Sequence, residues 1–300
     1  MPLQLKSILA AALIAILVPA TTGAQSFTHI HLRAPDATAA AEWYQTLLGG
    51  VLRPSTAGMG SVGQAHGAIA TMLDDGSAAP SRGGVIDHFG FAVPNVATTL
   101  ERARVMGARM ITAPTPGVVT TAIAMIEDPW GTRIELLESP DFRGIQHVHL
   151  VTEQPAALRD WFLQVFGGDF DPAHGGDELN TIQYDGIWVY ISEQFEEEPI
   201  VSFDPNDPRI ALEPFSTVAT SEGENDSLAD IGIAPSRGRS LDHLGFSVDD
   251  MDALASRVRA SGYTPYETRP NRPGGTTLLM FFEGPDGVHF EIAEPGGAQP

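Results

Sequence analysis

The sequence predicts an α+β protein built from four copies of one unit, a strand, a helix and then further strands, with two copies in each half of the chain. Three repeated blocks carry that prediction. "FTHIHLRAPD" (Phe27–Asp36) returns as "IQHVHLVTEQ" (Ile145–Gln154), with His147 and His149 in register with His29 and His31. "DHFGFAVPNVATTLERARVMGA" from Asp87 returns as "DHLGFSVDDMDALASRVRASGY" from Asp242. The closing stretches "EDPWGTRIELLE" (Glu127–Glu138) and "EGPDGVHFEIAE" (Glu283–Glu294) share a tight turn feeding a last strand.

Taken in chain order, residues 1–24 are set apart first. Lys6, the apolar run Ile8 to Val18 and the small residues of "PATTGA" have the pattern of a secretory leader cleaved near Ala24. The run is short of the roughly 20 residues a spanning helix needs, so the mature chain is expected to be exported, periplasmic or secreted, with no membrane segment. A first domain is expected over 25–139 and a second over 145–295, divided at "SPDFRG" (Ser139–Gly144). Each opens with a histidine-bearing strand and an amphipathic helix, with Ala40, Trp43, Tyr44, Leu47 in one and Leu158, Trp161, Phe162, Val165 in the other at i, i+3, i+4, i+7. Gly49-Gly50 and Gly167-Gly168 end these helices. The second helix of each half starts after an N-cap, Asn95 in one and Asp249 or Asp250 in the other, and closes at Gly107 and Gly262. The extra length of the second half, about 195–240, is rich in Glu, Asp, Ser and Pro and reads as a solvated acidic insertion.

Composition excludes several chemistries. The 300 residues fit two domains of about 100–150 residues. There is no cysteine, so disulfides, zinc fingers and thiol catalysis are ruled out and any metal must be held by nitrogen and oxygen. Lys6 is the only lysine, which leaves the mature chain without a Schiff-base or P-loop lysine. Losing Lys6 moves the formal net charge from −21 to −22. Such an acidic surface repels nucleic acid and anionic lipid.

The repeated polar residues are where chemistry is expected. Alternate residues of a strand share a face, so His29, His31 and Arg33 point one way while Ile30, Leu32 and Ala34 point the other. By the same parity His88 shares a face with Gly90, and His243 with Gly245, where a missing side chain leaves room beside an imidazole. Glu135 and Glu291 each sit between apolar neighbours in a closing strand, a costly place for a carboxylate unless it is paired or coordinating. Two histidines and one glutamate form the donor set that holds Fe(II), Mn(II) or a similar ion with coordination positions left open. The alternative for any one strand histidine is an ordinary hydrogen bond at the core's rim.

With "HIHL", "DHFGF" and "RIELLE" in this order and duplicated, nearly the whole mature chain resembles the vicinal-oxygen-chelate superfamily of glyoxalases, fosfomycin-resistance proteins and extradiol dioxygenases. The resemblance implies two such domains, each of paired βαβββ modules curled into a cup-shaped mixed sheet around a metal. It implies metal ligands at His29, His88 and Glu135 and at His147, His243 and Glu291, with Fe2+, Mn2+ or Zn2+ as the ion and two ions per chain. Ligand sets drawn from within each half are the expectation; the alternative exchanges modules, joining His29 to His243 and Glu291, and His88 and Glu135 to His147. Glyoxalases of this type carry a further acidic or amide ligand where this chain has "GAIATML" (Gly67–Leu73) and "GIWVYIS" (Gly186–Ser192), which offer none.

His31 and His149 are candidate acid–base residues, since imidazole titrates near neutrality. Arg82 and Arg237, each six residues before a candidate histidine ligand, and Trp188 and Tyr190, on one face of their strand, are candidate substrate contacts. The expected protein is an exported, metal-dependent enzyme, monomeric or homodimeric, acting on a small molecule with adjacent oxygens as a ring-cleaving dioxygenase or a lyase or isomerase. The alternative class is a protein that binds or sequesters a small molecule or metal without turnover.

Overall fold

The computed structural model of the chain describes residues 25–56, 58–117, 120–174, 179–193, 233–272 and 274–296. The leader expected over 1–24 and most of the acidic insertion, through residue 232, lie outside the described residues.

Four units appear as expected. The first comprises β1 (Ser26–Ala34), α1 (Ala37–Leu48), β2 (Val51–Thr56), β3 (Met59–Gly63) and β4 (Ala68–Leu73). The second comprises β5 (Ile86–Val93), α2 (Val96–Val105), β6 (Arg109–Met110), β7 (Ile123–Glu127) and β8 (Arg133–Glu138). The third comprises β9 (Gly144–Val151), α3 (Pro155–Val165), β10 (Asp169–Phe170), β11 (Asn180–Tyr184) and β12 (Ile187–Ser192). The fourth comprises β13 (Leu241–Ser247), α4 (Met251–Ala260), β14 (Glu267–Pro270), β15 (Leu278–Glu283) and β16 (His289–Glu294). Asn95 and Asp250 cap α2 and α4 through their side chains, and the stripe Leu158, Trp161, Phe162, Val165 is buried.

The pairing of the units corrects the expectation. One open sheet runs β14-β15-β16-β13-β1-β4-β3-β2, and the other β10-β11-β12-β9-β5-β8-β7-β6. The first unit therefore pairs with the fourth and the second with the third; neither sheet is drawn from one half of the chain. The seams are the antiparallel ladders β1–β13 and β5–β9, each flanked by parallel neighbours. The physical reason is that the first and third units are alike, as are the second and fourth, so each histidine strand has two equivalent partner strands. The short connection after β8 lets β9 pair beside β5, which leaves β1 and β13 to each other.

Helix packing ties the halves together in the other sense. Trp43 of α1 meets Trp130 in the turn between β7 and β8, ring centroids 5.8 Å apart, and its Nε1 donates to the Met106 carbonyl at 2.9 Å. Trp161 of α3 donates to Ser261 at the end of α4 and lies 5.6 Å from Phe290. The sheets thus join units across the halves, while the helices join units within them, giving one continuous apolar core.

A buried carboxyl in this core gives the fold a pH dependence. Asp128 is hydrogen-bonded by the hydroxyl of Tyr44 and by the backbone N–H groups of Trp130 and Thr132. Burial nevertheless pushes its pKa up to about 6, those hydrogen bonds offsetting only part of the cost. A carboxyl raised above its unfolded value stabilises fully below about pH 4 and loses that contribution as pH rises through 6. Unfolding free energy is therefore expected to fall by up to about 3 kcal/mol across that window. Urea titrations at several pH values should show the decline in the native chain and a flattened profile in Asp128→Asn.

Candidate metal centres

Each seam gathers donors from both of its units. At the terminal site, built from the first and fourth units, His29, His31, His243 and Glu291 offer ligand atoms all within 4.8 Å of one another. His29 Nε2 lies 3.8 Å from Glu291 Oε1, and His243 Nε2 lies 3.4 Å from Glu291 Oε2. At the central site, from the second and third units, His88, His147 and His149 form such a group, and Glu135 Oε2 stands 3.4 Å from His147 Nε2. The structure thus brings together His29, His243 and Glu291, and His88, His147 and Glu135, in place of the within-half sets.

Glycine makes the convergence possible. Gly245 pairs with His29 on one side and Glu291 on the other, and Gly90 pairs with His147 and Glu135. A Cβ at Gly245 would fall 2.1 Å from the His29 ring, and one at Gly90 would fall 2.1 Å from the His147 ring. The space predicted beside His88 and His243 is in fact filled by the imidazole of the facing strand.

The signal that strand parity missed is a set of β-bulges. The β1–β13 ladder shifts register between Phe27 and His29 and again between His31 and Leu32, leaving Thr28 and Asp242 as the unpaired residues. The β5–β9 ladder shifts at the same places, leaving Asp87 and Gln146 unpaired. Each bulged residue turns its side chain onto Nδ1 of the histidine that follows it. Thr28 Oγ1 is 3.0 Å from His29 Nδ1, Gln146 Oε1 is 2.5 Å from His147 Nδ1, Asp87 Oδ1 is 2.7 Å from His88 Nδ1, and Asp242 Oδ1 is 2.6 Å from His243 Nδ1. An acceptor on Nδ1 fixes the tautomer that presents the Nε2 lone pair, as the outer partner of a metal-bound histidine does.

The aspartates are anchored in turn, by different cations in the two sites. Asp242 Oδ2 accepts from Arg33 Nε at 2.6 Å and Gly238 N at 2.7 Å, and its Oδ1 lies 2.9 Å from His289 Nδ1. Asp87 Oδ2 accepts from Arg133 NH1 at 3.5 Å. Arg133 stands where the fourth unit has His289, and Val151 where the first has Arg33. Burial works against the Asp242 carboxylate, but His243, His289 and Gly238 together hold its pKa well below the ordinary range.

Burial also keeps most of the imidazoles neutral. It lowers His29 to about 4 against the attraction of Glu291, lowers His149 to about 3, and takes His31 and His147 well below their usual value. His243 goes the other way, because Asp242 and Glu291 outweigh its burial. Burial raises Glu135, whereas in Glu291 the contacts with His243, His29 and Arg269 outweigh burial and lower it. Neutral imidazole and carboxylate are the donors that borderline divalent ions take. His147 Nε2 is buried, makes no hydrogen bond among the described residues, and points at Glu135. These donor sets fit a divalent metal.

The walls of the two sites differ. On β12, Trp188 and Tyr190 pair with His147 and His149 and share their face, as their sequence parity predicted. Tyr190 stacks on His147 at 4.3 Å, and His174 stacks on Trp188 at 3.7 Å and contacts the Tyr190 hydroxyl at 2.7 Å. On β4 the residue opposite His31 is Ala70, and neither β4 nor β12 adds an acidic or amide ligand. Arg237 lies over the Tyr266 ring and 3.3 Å from Glu283, and Tyr266 reaches His289 Nε2 at 2.5 Å. Arg82 offers its carbonyl to Arg239 at 3.0 Å, at the crossing between the sheets. No sequence pattern marks His174, Tyr266 or His289; only their place in the fold does.

A model of the Glyoxalase/Bleomycin resistance protein/Dioxygenase superfamily matches residues 26–136 and 144–292. The lactoylglutathione lyase of Haemophilus influenzae is 37% identical over 57 residues, 19% of this chain and 42% of that enzyme, so the chain spans less than half of this curated relative. Among solved structures, glyoxalase I from Zea mays superposes with a TM-score of 0.60 at 15% identity, over 90% of this chain and 92% of that one, a likeness of fold. With both matched segments covering all four units, the chain belongs to the Glyoxalase/Bleomycin resistance protein/Dioxygenase superfamily.

Proposed function

We propose that the chain is a divalent-metal-dependent enzyme, exported behind its leader, that acts on a small molecule presenting two adjacent oxygens. The observation that carries this reading is the twofold convergence of imidazoles and a carboxylate whose outer nitrogens are already committed to bulged neighbours. When bound, the ion supplies Lewis acidity toward those oxygens or, as iron, access to dioxygen. The chain's own residues do the rest. Glu291 and Glu135 complete the terminal and central sets, and Gly245 and Gly90 keep the sites open. His149, held neutral by burial and 3.0 Å from Ser192 Oγ, is the proton acceptor assigned to the central site. Trp188 and Tyr190 form the face against which a flat substrate rests there, while Arg237 and Arg82 are assigned to acidic substituents of the substrate.

Metal analysis tests the reading. The purified chain is expected to hold two ions, and Glu135→Gln and Glu291→Gln about one each; unchanged content in both variants would refute the assignment. Oxygen uptake on catechols by iron-loaded protein would place the reaction among ring-opening oxygenations, and anaerobic turnover would place it among lyases and isomerases. Two bound ions with neither activity would instead favour a sequestering protein.

A further inference from the structure

The terminal site holds one donor more than the set described above. Resting on the metal-binding reading just given, we propose that His31 is itself a ligand there, so that the terminal centre has three imidazoles and one carboxylate and is chemically unlike its central counterpart.

Three observations carry this. His31 Nδ1 lies 2.8 Å from His243 Nε2, the lone-pair nitrogen that Asp242 leaves free. Two nitrogens on metal bonds of about 2.0 Å at a right angle stand about 2.8 Å apart, so the pair already has the spacing of neighbouring ligands. His31 is 4% exposed, its Nε2 makes no hydrogen bond among the described residues, and its ring lies 5.5 Å from that of His29. The donor atom His31 offers lies within 4.8 Å of those of His29, His243 and Glu291, inside the same group. Finally, the equivalent His149 has an outlet that His31 lacks. Ser192 donates its hydroxyl to the Glu193 carbonyl at 2.8 Å, so its oxygen accepts from His149 Nε2 at 3.0 Å. In the first unit the residue at the register of Ser192 is Met72, opposite Arg33, which has no hydroxyl to offer. With that tether gone, His31 turns to His243 and the donor cluster.

The test uses Cu(II) as the probe in a His147→Ala chain, which confines the ion to the terminal site, with pulsed electron paramagnetic resonance counting coordinated imidazoles. Three are expected, falling to two in His147→Ala/His31→Gln, with Cu(II) affinity reduced by more than about 100-fold. A histidine that merely orients a ligand costs about 10–100-fold, so a loss inside that range with an unchanged count would overturn the proposal. Two imidazoles in the chain that retains His31 would overturn it alone, whether or not the His31 variant folds. Failure of the His147→Ala chain to bind any ion would overturn both the proposal and the metal reading beneath it.

Discussion

Gly245→Ala is expected to remove the metal from the terminal site and leave the central one filled. The added methyl would lie 2.1 Å from His29 Cε1, 2.2 Å from Nδ1 and 2.7 Å from Nε2, so no small adjustment of the ring relieves the clash. His29 is also fixed from behind by Thr28 at 3.0 Å. It must therefore swing out of the seam and give up its approach to Glu291. Overpacking of this kind costs about 1–3 kcal/mol of stability, less than the roughly 5–15 kcal/mol typical of folded domains, so the expected signature is a folded protein with one ion in place of two. Gly90→Ala should do the same at the central site by displacing His147. Ion analysis beside thermal unfolding checks both; full metal content in either variant would mean that the glycine does not shape the site.

Asp242→Asn should damage stability and metal binding together. The carboxylate is fully buried and serves four partners: Arg33, the Gly238 backbone, His243 and His289. An amide keeps the shape but not the charge, so that among the described residues the longer contact with Asp74, at 3.2 Å, is the ion pair left to Arg33. Breaking a buried pair from one side costs about 3–5 kcal/mol. Loss of the acceptor on His243 Nδ1 should also weaken the terminal ion by about 10–100-fold. Urea unfolding and metal titration measure the two effects. Asp87→Asn should be the milder change, because its Arg133 contact is longer, at 3.5 Å, and it lacks the second histidine. Equal losses in the two variants would contradict this account of how the aspartates are anchored.

Much of this was legible in the sequence, and the exceptions have physical causes. Periodicity and repetition place the helices, the cap at Asn95, the other cap to within Asp249 or Asp250, and the faces of His29, His31, Trp188 and Tyr190, because those follow from local geometry. The identity of the partner unit did not, since "DHFGF" and "DHLGF" present the same edge to "HIHL" and "HVHL", and only the complete fold decides between them. Asp87 and Asp242 were hidden for a different reason. Strict alternation turns each away from the histidine that follows it, and only a bulge, invisible to a period of two, brings them to the same side. Thr28 and Gln146 were missed in the same way. His289 and Tyr266 were lost because their meeting depends on how β14 and the strand of Glu291 are brought together across β15.

The central claim is that each metal site draws one unit from each half of the chain, and paired substitutions test it directly. Ion content should fall to about one per chain in His29→Ala/Glu291→Gln, where both losses strike the terminal site, and to none in His29→Ala/Glu135→Gln, where each site loses a ligand. The reverse pattern, no ion in the first and one in the second, would mean that the ligands group within the halves and would contradict the account.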